Sequence, residues 1–270
     1  MPKLQSQEKP RFYWQLLFSL LMFVYMYLPI LVLAFFSFNE SRFSASWEGF
    51  TLKWYQQLFR DQRILSALQN SLIVAVSAVG IAAVIGTLMA VGLARYRFRG
   101  KTLYRGVSYL PLIIPDIAIA VATLVFLAVV QVRLSIWTIV AAHVVFCLAY
   151  VGLVVSTRLA DLDPHLEEAA LDLGATPSQA FLKVLLPELM PGIISGCLLA
   201  FVLSLDDFLI ASFTAGSGAT TLPMEIFSRI RTGVKPDINA LSVILMLISG
   251  VVFFLAESIR YQSAEKRLKQ

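Results

Sequence analysis

The residues in this chain that could do chemistry stand in two unlike settings. Asp116, Asp206 and Asp207 lie in otherwise apolar segments that hold no Lys or Arg, and His143 lies midway along another. Glu167 and Glu168 lie in a polar stretch with Asp161, Asp163, Asp172 and Glu188. A carboxylate surrounded by apolar material costs free energy unless it is protonated, hydrated or paired with a cation. Such a group suits a cationic solute, for which it is the counter-ion. It equally suits a hydrogen-bonding role between helices, and both readings stand for each of the three aspartates. Asp206 and Asp207 are about 100° apart on a helix, so at most one points into a pathway while its neighbour bonds to backbone or to a polar side chain. His143 reads either as a proton relay or, more simply, as a neutral imidazole hydrogen-bonded between helices. Asp116 follows Pro115 and lies just beyond Pro111, which predicts a distorted backbone around it. Neither a catalytic residue nor a metal site nor a cofactor is expected.

The elements that must position these groups follow from composition. The 270 residues are 58% hydrophobic and 14% charged, and the mean hydropathy is +0.77. Soluble domains carry about 25% charge, and a domain of this size has too little interior for the excess apolar surface. The solvent must itself be apolar, which makes an all-α, polytopic membrane protein. Disorder is excluded by the same composition. Two cysteines, Cys147 and Cys197, both in apolar runs, exclude a disulfide scaffold.

Runs able to cross about 30 Å of hydrocarbon need roughly 20 helical residues. Six meet this length, at about 13–37, 71–94, 107–130, 134–157, 189–212 and 238–259, in one permease-sized domain over 1–270. The first is too long for a signal-peptide core and is read as retained. The two short loops fix the orientation. One holds Arg95, Arg97, Arg99, Lys101 and Arg105, and the other holds only Arg133. Cytoplasmic loops are the basic ones, so both termini lie inside. The net charge of +5 then reflects loop placement and calls for no nucleic acid.

Three further features are local. Ala78, Ala82, Gly86, Ala90 and Ala94 form a small-residue stripe, which suits close helix packing either within the subunit or with a second one. Thr51 reads as the N-cap of a short outer helix over 52–59, with Trp47, Trp54 and Tyr55 at headgroup level. The segment 158–188 reads as a cytoplasmic loop of two short helices. Asp163-Pro164 starts the first, Gly174 stops it, Thr176-Pro177 starts the second, and Pro187 with Pro191 breaks the chain before the fifth span.

In that loop, Glu168-Ala169-Ala170 is followed after three residues by Gly174, and after nine more by Val184, one residue, then Leu186-Pro187. This pattern resembles the EAA loop of ABC importer permeases, with Val184 where isoleucine is usual. The resemblance implies that Glu168, Ala169, Ala170, Gly174, Leu186 and Pro187 couple the chain to a cytoplasmic ATP-binding subunit. ATP itself is expected on that subunit and not here. The nearest phosphate-loop lookalike, Gly100-Lys101-Thr102, has Arg95 where the first glycine belongs.

A wider resemblance, to the putrescine and spermidine permeases of this family, rests on Ile136-Trp137, Ala141-Ala142-His143, residues 167–177, Leu203-Ser204-Leu205-Asp206-Asp207-Phe208, Leu222-Pro223 and Asn239-Ala240-Leu241. It implies a permease subunit of an ATP-driven importer in a bacterial inner membrane. The implied partners are two ATPase subunits, a second permease subunit, an extracytoplasmic solute-binding protein, the lipid bilayer and a small cationic substrate reached through Asp206, Asp207 and Asp116. Two alternatives remain: a permease for iron, phosphonate or a similar solute, and a proton-coupled secondary transporter.

Overall fold

A computed structural model describes residues 9–41, 46–231, 233 and 236–251, with side chains from Trp14 onward. Every named element is helical, and the described residues show one isolated bridge, Asn39 to Phe50. The chain divides into two compact units, 1–61 with 229–270, and 62–228; each is described by itself.

The first unit opens with α1 (Lys9–Phe36). Its candidate span, Trp14–Phe36, has no buried residue within the chain. A helix apolar on every face is at home in lipid or against another membrane helix. Beyond it, Asn39 organises the loop. Its amide donates to the Ser46 carbonyl at 2.6 Å, its Oδ1 accepts from the Glu48 N–H at 3.0 Å, and its carbonyl accepts from Trp54 Nε1 at 2.7 Å. Trp54 is therefore buried, with its indole N–H satisfied. The short helix α2 (Lys53–Leu58) starts one residue later than expected. Leu52 holds the cap position, and the Thr51 hydroxyl accepts from the Lys53 N–H at 3.2 Å. An apolar helix over Pro236–Val251 is the described part of the sixth expected span; 252–259 lie outside the described residues, as do several of the terminal basic residues.

The second unit holds the packed helices. They are α3 (Gln62–Arg95), α4 (Lys101–Tyr109), α5 (Asp116–Val129), α6 (Ile136–Ala160), α7 (Leu166–Asp172), α8 (Pro177–Ala180), α9 (Leu186–Asp206) and α10 (Leu209–Thr214), with α11 (Leu222–Arg231) crossing the boundary. Its core is α3, α6 and α9, each packed on the other two. Small residues permit this. Ala78, Ala82, Gly86 and Ala90 are buried, so most of the stripe is a packing face within the chain, while Ala94 is exposed. A Cβ at Gly86 would lie 3.1 Å from the Leu148 carbonyl, and one at Gly196 3.2 Å from Val151 Cα. Packing of this closeness is the main attraction between helices in lipid.

Among the described residues, four helices are long and apolar enough to cross a membrane, or five if a bent pair counts as one span. Several boundaries differ from the sequence reading. The segment at 107–130 is not one rod: α4 with a 3-10 turn at Leu110–Leu112 meets α5 at a bend of 108°. Leu110 before Pro111 is still helical, and the chain leaves the helix only at 113–115, where Pro115 lacks an N–H and disfavours helical backbone at Ile114. The segment at 189–212 ends as a helix at Asp206, and α10 begins afresh at Leu209. Conversely, Pro187 and Pro191 do not break the chain. Helix runs from Pro177 to Asp206, with a π-helical stretch over Phe181–Leu185. The wider turn just before Pro187 takes up the displacement that the ring imposes.

Candidate functional site

Two groups of residues carry chemistry, and the first is the loop at 158–188. Asp163 Oδ1 accepts from the His165 N–H at 2.9 Å, and the Leu166 N–H bonds to the Asp163 carbonyl at 3.3 Å. This is a tight i to i+3 turn, so α7 starts at Leu166 and not at Pro164 as the sequence suggests. Glu167 and Glu168 still fall in its first turn, where the helix dipole favours acids.

Gly174 stops α7 at φ +87°. Its N–H bonds to the Leu171 carbonyl at 2.9 Å, and the Ala175 N–H bonds to the Ala170 carbonyl at 3.0 Å. This is a Schellman ending, which needs the left-handed residue that glycine supplies. Thr176 then caps α8 in a reciprocal box with Gln179 (3.4 and 3.0 Å), as a Thr-Pro start implies.

The two adjacent acids of α7 are used differently. Glu167 Oε2 lies 2.7 Å from Arg95 Nε at the end of α3, and Arg95 Nη1 donates to the Pro164 carbonyl at 3.2 Å. At the far end of the loop, Arg158 Nε donates to the Glu188 carbonyl at 3.2 Å, and its Nη2 lies 3.6 Å from the Glu188 carboxylate. The loop is thus pinned by an arginine at each end. Glu168, by contrast, is 72% exposed and touches His165 Nδ1 at 2.9 Å. That hydrogen bond, with the charges of Glu168 and Asp163, pushes the His165 imidazole above its ordinary pKa.

Ala169 and Gly174 are exposed, Ala170 and Leu186 are half-buried, and Pro187 is exposed. Leu173 is 90% exposed and Leu185 fully buried; neither was singled out in the sequence. The signal for Leu173 is its place beside the helix-stopping glycine, where an apolar side chain projects from the end of α7.

The second group lies where α9 ends. Asp207 takes an extended conformation (φ −68°, ψ 121°) that ends the helix. Its oxygens accept the N–H groups of Ile210 (3.3 Å) and Ala211 (2.8 Å), so it caps α10. His143 on α6 is 1% exposed, and its Nε2 lies 3.2 Å from Asp207 Oδ2, a close contact without hydrogen-bond alignment. Its Nδ1 is hydrogen-bonded to Ser204 Oγ at 2.8 Å. The imidazole therefore stands between α6 and the end of α9.

Asp206 and Asp116 are both exposed on the chain, and neither has a hydrogen bond or ion pair among the described residues. Asp116 opens α5 directly after Pro115. The structure thus brings Asp207 together with His143 and Ser204, and leaves Asp206 and Asp116 outside that network. Ser204 stands one helical turn before Asp207, a spacing visible in the sequence once α9 is known to run through it.

Comparison with known proteins adds to this geometry. Residues 82–269 match the family of the binding-protein-dependent transport system inner membrane component. The putrescine transport system permease protein PotI of Escherichia coli K12 is 44% identical over 266 residues, covering 95% of this chain and 94% of its own length. The spermidine/putrescine transport system permease protein PotC of Haemophilus influenzae is 39% identical, covering 92% of this chain and 97% of its own. Among solved structures, a chain of a bacterial ABC transporter that imports alginate shares the fold with a TM-score of 0.73 at 13% identity, over 94% of this chain and 99% of that one. A chain of the inward-facing methionine ABC transporter MetNI superposes with a TM-score of 0.58 at 22% identity, over 77% of this chain and 97% of that one.

Proposed function

Because the chain belongs to the family of binding-protein-dependent transport system inner membrane components, we propose that it is a permease subunit of an ATP-driven ABC importer for a polyamine, putrescine or spermidine. The observation that carries the cargo is Asp206. It is an exposed carboxylate in the fifth apolar segment, with no cation beside it among the described residues. The similarity to PotI and PotC along nearly the whole chain supports the same cargo. A polyamine brings ammonium groups on an apolar stem, so it neutralises carboxylates while its methylenes remain in apolar surroundings. Asp116, also exposed and unpaired, is the second acid of the pathway. Asp207 joins it through its neighbour more than by direct contact.

The chain works as one permease domain over 1–270 with six spans and both termini inside. The bent α4–α5 pair is the third span, α9 with α10 the fifth, and the helix beginning at Pro236 the sixth. The five basic residues of the 95–105 loop against Arg133 alone on the other side support this orientation. The loop at 158–188 then lies in the cytoplasm of a bacterial cell, under the inner membrane. Glu168, Ala169, Ala170 and Gly174 present α7 to an ATP-binding subunit, while Leu186 and Pro187 join the loop to α9. A second permease subunit completes the pathway, and an extracytoplasmic solute-binding protein delivers the cargo. ATP binding draws the coupling helices together, and the pinned loop passes that movement to α3, α6 and α9.

The test is uptake of labelled putrescine into right-side-out membrane vesicles carrying the complete transporter, loaded with ATP and supplied with the solute-binding protein outside. Uptake should need ATP and be competed by spermidine but not by ferric ion. Uptake driven by a proton gradient without an ATPase overturns the reading.

A further inference from the structure

The break between α9 and α10 has no backbone cause. Residues 197–215 contain neither proline nor glycine, and Leu205, Phe208, Leu209 and Ile210 are all compatible with a continuous helix. A break in an apolar segment also exposes backbone N–H groups that lipid cannot satisfy. Side chains must hold it open, and those that do are visible. Asp207 takes the N–H groups of Ile210 and Ala211. His143 reaches both sides of the break, with Nδ1 on Ser204 of α9 and Nε2 facing the Asp207 carboxylate. Nε2 is buried and has no other partner among the described residues. Asp206 is the last residue of α9, so the point at which α9 stops sets where its carboxylate is presented.

We propose that His143 is a positioning residue for transport: together with Ser204 it holds Asp207 in its capping position, keeps α9 and α10 apart, and so fixes the direction of the Asp206 carboxylate. The effect on uptake rests on the reading of Asp206 as the cargo acid; the geometric effect does not. Removing the imidazole leaves the Asp207 carboxylate held only by the Ile210 and Ala211 N–H groups, and α9 is then free to continue through 207 and carry residue 206 around with it.

The experiment uses the complete transporter in cells, with Asp206→Cys in a chain carrying Cys147→Ala and Cys197→Ala. The rate of labelling by a water-soluble maleimide is compared with and without His143→Ala at matched membrane levels. The expected result is a fall of roughly tenfold in that rate, the scale set by losing one buried polar partner. In the otherwise native chain, His143→Ala should raise the KM for putrescine by roughly the same factor, with the maximal rate changed less than about twofold. His143→Gln, which keeps a side-chain donor, should recover much of both. An unchanged labelling rate in His143→Ala overturns the proposal. If that variant does not reach the membrane, Ser204→Ala takes its place, and unchanged labelling there overturns it equally. Asp206→Asn separates the two readings: wild-type KM in that variant removes Asp206 as the cargo acid, while the labelling rate still decides the role of His143.

Discussion

The loop pair Glu167–Glu168 and the membrane pair Asp206–Asp207 are divided in the same way. In each, one acid lies against a side-chain nitrogen of another helix: Glu167 against Arg95 at 2.7 Å, and Asp207 against the His143 imidazole at 3.2 Å without hydrogen-bond alignment. In each, the neighbour is exposed on the chain. The media differ. Arg95 and Glu167 are each about one-fifth to one-quarter exposed, at a helix end, where an ion pair contributes about 0–1 kcal/mol. Asp207 is 10% exposed and also satisfies backbone groups, and a buried acceptor lost without replacement costs about 1–3 kcal/mol. The anchor in the membrane therefore shapes the structure, while the anchor in the loop aims a helix already formed by its own caps.

Neutralising Asp206 and Asp207 separately should give two different losses. Asp206→Asn is expected to cut polyamine uptake by at least tenfold with a normal amount of protein in the membrane. Asp207→Asn is expected to lower thermal stability in detergent by about 1–3 kcal/mol, with its loss of uptake following the loss of folded protein. Uptake assays normalised to membrane level, with thermal unfolding of the purified complex, check both. Equal loss of uptake per folded molecule would abolish the division of labour.

The loop has the corresponding prediction. Glu168→Lys and Gly174→Pro should leave insertion intact and abolish the coupling of ATP hydrolysis to uptake. For Gly174 the reason is geometric, since φ +87° is closed to proline, whose ring fixes φ near −65°. Glu168→Lys reverses the charge on the presented face. ATPase activity of the reconstituted complex, measured beside uptake, should stay at its basal level without stimulation by cargo. Arg95→Gln and Glu167→Gln should give smaller losses of coupling, of about twofold to fivefold, within the range of a partly exposed pair. The double variant should be no worse than either single one, because the pair acts as one unit.

Legibility in the sequence followed the same division. The caps of the loop, Thr176-Pro177 and Gly174, act through residues within four positions of each other, so their spacing suffices to read them. Asp206 and Asp207 were readable as a pair of which only one is free, from the 100° step of a helix. Which one is free was not readable, because the answer depends on His143, which approaches from α6, sixty-four residues away in the chain. The bend at Pro115 was foreshadowed by the proline itself. The run through Pro187 and Pro191 was not, because a π-helical turn upstream accommodates a ring that would otherwise interrupt the helix. The burial of Trp54 was hidden for the same reason as the role of His143. Its acceptor, the Asn39 carbonyl, lies in a loop whose course no local pattern reveals.

The smallest effect concerns the free acid of the loop. Glu168 is exposed, yet its carboxylate meets His165 at 2.9 Å, and this contact raises the imidazole pKa. A raised pKa means that the charged imidazole and the pairing persist from low pH up to the raised value and disappear as pH climbs through it. Below the ordinary imidazole pKa of about 6.5 the pair is fully formed. Above the raised value, His165 is neutral and the charge of Glu168 is uncompensated. Because both side chains lie open to water, salt weakens the pairing, and its effect is on the availability of Glu168 and not on folding. An NMR titration of the His165 ring in the purified transporter should therefore give a midpoint above that of an isolated histidine. The midpoint should return toward the ordinary value in Glu168→Gln and at high salt. A midpoint that does not respond to Glu168→Gln would show that the exposed acid is free of His165 at every pH, and the loop pair would then be divided more completely than the membrane pair.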